Sequence, residues 1–179
     1  MNWKTHPNIK FKGGDNFMND NKYKNQENKN PKNNQNQEIK KILTDDDINK
    51  ILTLDSENIG VLIKKADSLA KRIGDRKENN RKKEGISSSK LRDFYDYVVR
   101  IKESETGNWY LKLMLLKPKM IYHVNKEKYG DKREALRTFN NEMNKIMAKI
   151  DKNNYKHFEN FLTFFEAVVA YHKGYTKSK

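Results

Sequence analysis

From residue 38 onward the apolar positions recur with helical spacing, and no segment sustains a two-residue alternation. A first short helix is predicted from Thr44 to about Leu54, with Thr44 as its cap and Asp45, Asp46 and Asp47 as an acidic first turn. Ile59, Leu62, Ile63, Ala66, Leu69, Ala70 and Ile73 form the stripe of a second helix, capped by Ser56 and stopped at Gly74. The run "DRKENNRKKEG" that follows has no period and reads as a polar, basic loop. One of Ser87, Ser88 and Ser89 caps a third helix that turns Leu91, Phe94, Tyr95, Val98 and Ile101 inward. Gly107 separates it from a segment beginning near Trp109. Pro118 lies inside that segment, so the chain must kink there or start a new helix just before it. After the break at Gly130, Leu136, Phe139, Met143, Ile146, Met147 and Ile150 make another stripe.

The last helix, from about Asn154 to Lys173, carries the densest apolar content. Phe158, Phe161, Leu162, Phe165, Val168, Val169 and His172 share a face, and Phe164, Ala167 and Tyr171 widen it. So broad an arc predicts a helix at the centre of the fold. Five or six helices in a compact all-α bundle follow, over residues 38–179. Residues 1–37 differ in kind. They hold 11 Asn and seven Lys with few aliphatics, and they read as a disordered tail that cannot bury enough surface to offset its ordering entropy.

Two side chains in the last helix raise a question of chemistry. Glu166 projects from the apolar arc, and a buried carboxylate needs a partner; Arg92 on the third helix is the expected one, as a structural ion pair. His172, six residues further on, cannot share a site with Glu166 on a straight helix. Near the helix C-terminus, it is expected to be a dipole-stabilised imidazolium. No catalytic or metal-binding motif accompanies His6, His123, His157 or His172, and there is no phosphate-cradling glycine loop and no cysteine. Neither cofactor nor metal is expected.

Charge changes the picture more than motif does. The formal net charge is +14, and of 38 basic residues only seven are Arg. Such an excess favours a polyanion, and lysine favours phosphates over base edges. Lys64 and Lys71 stand one heptad apart on the second helix, as do Lys65 and Arg72, largely opposite the apolar stripe. Lys112, Lys119 and Lys126 repeat the spacing on the fourth segment. Residues 71–92 hold nine basic against three acidic residues, a local excess of +6. The pattern indicates sequence-independent nucleic-acid binding. A membrane surface fits less well, because the basic faces do not adjoin exposed apolar ones. No apolar run is long enough to span a bilayer, and no secretory h-region is present, so a cytoplasmic protein is expected.

Three stretches, "GISSSKLRDFYDYVVRI" (85–101), "LMLLKPKMIYHVNKEK" (113–128) and "FENFLTFFEAVVAYHK" (158–173), are together similar in order and spacing to the small subunit of the type III-A CRISPR effector, the Csm complex. The resemblance implies an all-helical, non-catalytic subunit of antiviral defence. It implies stacking in several copies along the guide (crRNA)–target RNA duplex, beside the backbone ribonuclease subunits and the large polymerase-like subunit. It further implies RNA contacts from Lys90 and Arg92 in the Ser-Lys-Leu-Arg motif, from Lys117 and Lys119, and from Lys126. Pro118 and Asn125 depart from the family's pattern. The alternative reading is a free-standing helical protein that binds nucleic acid non-specifically.

Overall fold

The computed structural model describes residues 42–104 and 107–176; the expected tail at 1–37 lies outside them. Seven helical segments and one small hairpin follow in order: α1 (Asp45–Leu52), α2 (Ile59–Ile73), β1 (Arg76–Glu78), β2 (Arg81–Lys83), α3 (Ser88–Glu103), α4 (Trp109–Met114), α5 (Leu116–Lys126), α6 (Asp131–Lys149) and α7 (Tyr155–Gly174). α4 and α5 meet at Leu115, which keeps right-handed helical dihedrals, so the two form one broken helix and the bundle has six. Pro118 is the third residue of α5. There a missing backbone N–H costs no interior hydrogen bond, and this explains why the break comes where it does.

α7 is the hub, packed against α1, α2 and α3, while α6 packs on α1, α2 and α5. The central placement expected of the last helix is therefore observed. Phe158, Phe161, Phe164 and Phe165 are fully buried, and Asn154 caps the helix by accepting from the Lys156 N–H. Asn160, also buried, donates to the carbonyl of Leu52 at 2.7 Å, satisfying an orphan acceptor at the end of α1. At the other end of α1, Thr44 and Asp47 form a reciprocal capping box. Asp47 is further held by Lys65 at 2.8 Å. Burial, the largest single influence, would raise the Asp47 pKa, but the hydrogen bonds from Lys65 and Thr44 outweigh it and hold the carboxyl below its ordinary value.

Several expectations are corrected. Ser56 does not cap α2. Its turn is organised instead by the Asp55 carboxylate, which accepts from the Glu57 and Asn58 N–H groups. Ile59 and Ile63 sit outside the core stripe, as does Tyr171 on α7. The segment read as a loop is an antiparallel hairpin with Arg76, Lys77 and Glu78 opposite Lys83, Lys82 and Arg81. Asn79 and Asn80 supply the turn, both at positive φ (49° and 59°), which is the two-residue turn whose twist matches a hairpin.

The hairpin leaves the bundle through a tight crossing. The Ile86 N–H donates to the Ile73 carbonyl at 2.8 Å, and the Asp75 N–H to the Tyr175 carbonyl at 2.8 Å. Here Gly85 lies directly on Gly74; a Cβ at Gly85 would overlap the Gly74 carbonyl group and the Ile73 oxygen. Beneath this crossing His172 is buried, and among the described residues its Nε2 has no hydrogen-bond partner. Burial pushes its pKa below the ordinary histidine value, against smaller opposing influences from Asp75 and the Ile86 backbone. The expectation of a charged His172 is thus overturned. The helix dipole favours an imidazolium only where the ring keeps solvent, and this ring has lost it.

Candidate nucleic-acid interface

The expected Arg92–Glu166 ion pair is absent. Both residues are exposed, and among the described residues neither enters an ion pair. At 100° per residue, Glu166 falls with Glu159, Thr163 and Lys173 just past the edge of the buried arc of α7. It faces Tyr95 of α3, whose phenol pKa is raised by burial first and then by the Glu166 charge. The most deeply buried carboxylate among the described residues is instead Glu142 on α6, only 4% exposed. It accepts from the Leu43 N–H at 3.2 Å and from Lys145 at 2.6 Å.

The basic residues separate into three groups. Arg76, Arg81 and Lys83 of the hairpin, with Arg72 at the end of α2, are engaged by carboxylates. Arg72, Arg76 and Lys83 gather around Glu134 of α6 at 3.2, 3.5 and 3.9 Å, Lys83 also meets Glu78 at 2.6 Å, and Arg81 reaches Asp131 at 3.5 Å. A cleft at the hairpin base, lined by Asp75, Arg76, Lys82, Lys83, Glu84 and Tyr175, mixes both signs of charge. The local +6 of the sequence is therefore not a continuous positive surface. Lys64 and Lys71 form the second group. Both are exposed on α2, and their neighbours Lys65 and Arg72 are consumed by Asp47 and Glu134.

The third group is built from two helices. Ser87 caps α3 by accepting from the Lys90 N–H, which fixes Lys90 in its first turn. α3 packs against α5, and Phe94 of α3 sits edge-on to His123 of α5 with ring centroids 5.3 Å apart. Along α5, Lys119, His123 and Lys126 follow at i, i+4 and i+7 and share one face. Lys90, Lys119 and Lys126 all lie close enough for their charges to act on His123. Burial, first, and then these three cations push the His123 pKa down, opposed by Asp93. Asp93 stands 3.6 Å from Lys90, an exposed and weak pairing. The Lys119 ammonium lies 4.5 Å above the Tyr97 ring, which holds its stem against α3.

Lys117 does not join this group. Two residues from Lys119, it points some 200° away around α5 by the helix period and is half-buried. Arg92 is exposed on α3, two residues from Lys90 and so also on a different face. Of the seven cations expected from sequence, the structure thus brings together Lys90, Lys119 and Lys126, and leaves Lys64, Lys71, Arg92 and Lys117 apart. His123 was missed as a member. Its signal, a histidine flanked by lysines at helical spacing, is invisible to a search for catalytic motifs.

Beside this basic face runs an apolar one. Leu111, Leu115 and Tyr122 are 62%, 54% and 61% exposed, and their spacing of i, i+4 and i+11 places them in one line along α4 and α5. The expectation that basic and exposed apolar faces do not adjoin is corrected here. Among the described residues no helix is long and apolar enough to cross a membrane, and no group of His, Asp and Glu is arranged to hold a metal ion.

A family model described as Csm2 Type III-A matches residues 56–178, which takes in everything from α2 to α7. No curated protein and no solved structure gives a significant match. A chain whose described residues are mainly helical, matched over so much of its length and with the two segments that form the α3–α5 face inside the match, belongs to the Csm2 Type III-A family, the small subunit of the type III-A CRISPR complex.

Proposed function

We propose that this small subunit binds the guide RNA–target RNA duplex through phosphate contacts on the α3–α5 face, without base readout and without catalysis of its own. The observation that carries the reading is the placement of Lys119 and Lys126 on one face of α5 with Lys90 on the packed α3, all within electrostatic reach of His123. Lysine ammoniums are point charges that follow a phosphate backbone of any sequence, and they lack the rigid planar fork with which arginine pairs two acceptors at once. Base pairing between guide and target supplies specificity, as in other RNA-guided systems.

The exposed line of Leu111, Leu115 and Tyr122 supports assembly. A line of exposed apolar side chains is a feature of surfaces that meet a partner, and on this reading the partner is another subunit: a second copy in the stack, the backbone ribonuclease subunit or the large polymerase-like subunit. Such a complex works in the cytoplasm, where its target RNA is made. A free-standing nucleic-acid-binding protein would leave this line uncovered.

Affinity purification of the tagged chain from cells expressing the whole effector tests the reading. Co-elution with a discrete short RNA and several partner proteins is expected, with ultraviolet cross-links from that RNA to peptides of α3 and α5. Elution of the chain alone, or with heterogeneous RNA and no partner, would refute it.

A further inference from the structure

The chemistry of His123 is not used by simple charge neutralisation, yet the ring lies within electrostatic reach of all three lysines. We propose that Lys90, Lys119, Lys126 and His123 form one discrete phosphate-binding subsite in which the His123 imidazole takes up a proton as the anion arrives. This rests on the reading that the α3–α5 face meets phosphates.

The geometry supports a subsite rather than a diffuse patch. His123 is anchored on its inner side by Phe94, edge-on at 5.3 Å, and Phe94 is stacked in turn on Phe139 of α6 at 5.8 Å. On its outer side Tyr122 meets it edge-on at 5.2 Å. The ring is thus fixed in position and half-exposed, with Lys119 and Lys126 on its own helix and Lys90 across from it. The charged groups that act on it are those three lysines and, from α3, Asp93. Without an anion, partial burial and then the three cations hold the His123 pKa below its ordinary value, against Asp93, and so disfavour the protonated ring. A phosphate dianion or diester among the same groups reverses the sign of the field and accepts a hydrogen bond from the protonated ring. The neutral ring then gains one proton from solvent, and no other bond is made or broken.

Linkage fixes the direction. The bound state holds more protons than the free state between the two His123 pKa values. Affinity therefore rises as pH falls through that window, and is flat above the pKa of the bound form. Each unit by which the bound anion raises the His123 pKa corresponds to about a tenfold gain in affinity at low pH.

Two measurements on the full chain test this. In the first, binding of a duplex RNA of arbitrary sequence is measured at fixed salt from pH 8 to pH 5 for wild type, His123→Gln and His157→Gln. Wild type and His157→Gln should tighten as pH falls, and His123→Gln should lose that dependence. In the second, the imidazole NMR signals of wild type are titrated with and without inorganic pyrophosphate, and pyrophosphate should raise the His123 pKa by about one unit or more. RNA binding that tightens at low pH equally in His123→Gln overturns the proposal, as does RNA binding with no pH dependence in wild type. If RNA does not bind at any pH while pyrophosphate still raises the His123 pKa, the subsite stands and the RNA reading falls. If neither ligand moves His123, both fall.

Discussion

Replacing Glu142 by alanine should destabilise the bundle, and replacing Glu166 should not. Glu142 is 4% exposed and accepts from the buried Leu43 N–H at 3.2 Å. Alanine leaves that N–H without an acceptor in a site closed to water. A hydrogen bond to a charged acceptor contributes about 1.5–3 kcal/mol, and an orphaned buried donor costs about 1–3 kcal/mol. These figures overlap rather than add. The Lys145 contact contributes little more, because that lysine is 37% exposed and remains hydrated after its partner is removed. The expected loss for Glu142→Ala is therefore about 2–3 kcal/mol. In a domain of this size that lowers the melting temperature by roughly 6–10 °C. Glu142→Gln retains a carbonyl acceptor for Leu43 and should recover about half of the loss. Glu166 is solvated and unpaired among the described residues, so Glu166→Ala should fall within about 0.5 kcal/mol of wild type. Denaturant midpoints and slopes for the four proteins decide the matter. The reasoning is wrong if Glu142→Ala unfolds at the wild-type midpoint, or if Glu166→Ala moves the midpoint as far as Glu142→Ala does.

Three further outcomes follow from the fold. Gly85→Ala drives a Cβ into the backbone of Gly74 and Ile73 and should cost at least about 1–3 kcal/mol, read as a lowered denaturant midpoint; an unchanged midpoint would mean that the crossing relaxes freely. Asp47 has a folded pKa below its unfolded value, so its contribution is complete above about pH 4 and is lost as pH falls through the folded pKa; Asp47→Asn should flatten the acid limb of the stability profile. His172 is held neutral, so the unfolded chain binds its proton first, and stability should decline as pH drops below about 6.5. His172→Gln should weaken that decline between pH 6.5 and 5, and an unchanged slope would place its origin elsewhere.

Most of the bundle was legible in the sequence because helical periodicity and caps are local signals. α7 begins after Asn154, as the residues indicated, and α3 is capped by Ser87, one of the three adjacent serines that the sequence offered. The hairpin was not legible as strands. Three residues per strand are too few for alternation to register, although the Asn79–Asn80 pair carried the turn. The mistaken ion pair came from counting Glu166 into an apolar run without following the helix phase, which sets it at the edge of the arc. Glu142 was overlooked for the opposite reason, a polar residue within the buried stripe of α6 that only the fold supplies with a backbone donor from Leu43. The basic surface was half legible. Lysine spacing along α5 could be read directly, but which cations are spent on Glu134 and Asp47 depends on packing between separate segments of the chain.

The central claim, that RNA phosphates lie on the α3–α5 face, is tested most directly by a salt titration of duplex RNA binding. Wild type is compared with Lys90→Ala/Lys119→Ala/Lys126→Ala and with Lys64→Ala/Lys71→Ala, on two unrelated sequences. Each lost phosphate contact should reduce the slope of log K against log salt by about 0.7–0.9. The triple variant should therefore flatten the slope by roughly 2–3, equally on both sequences, while the α2 double variant keeps the wild-type slope. An unchanged slope in the triple variant, or a flattening that follows Lys64 and Lys71 instead, would contradict the account.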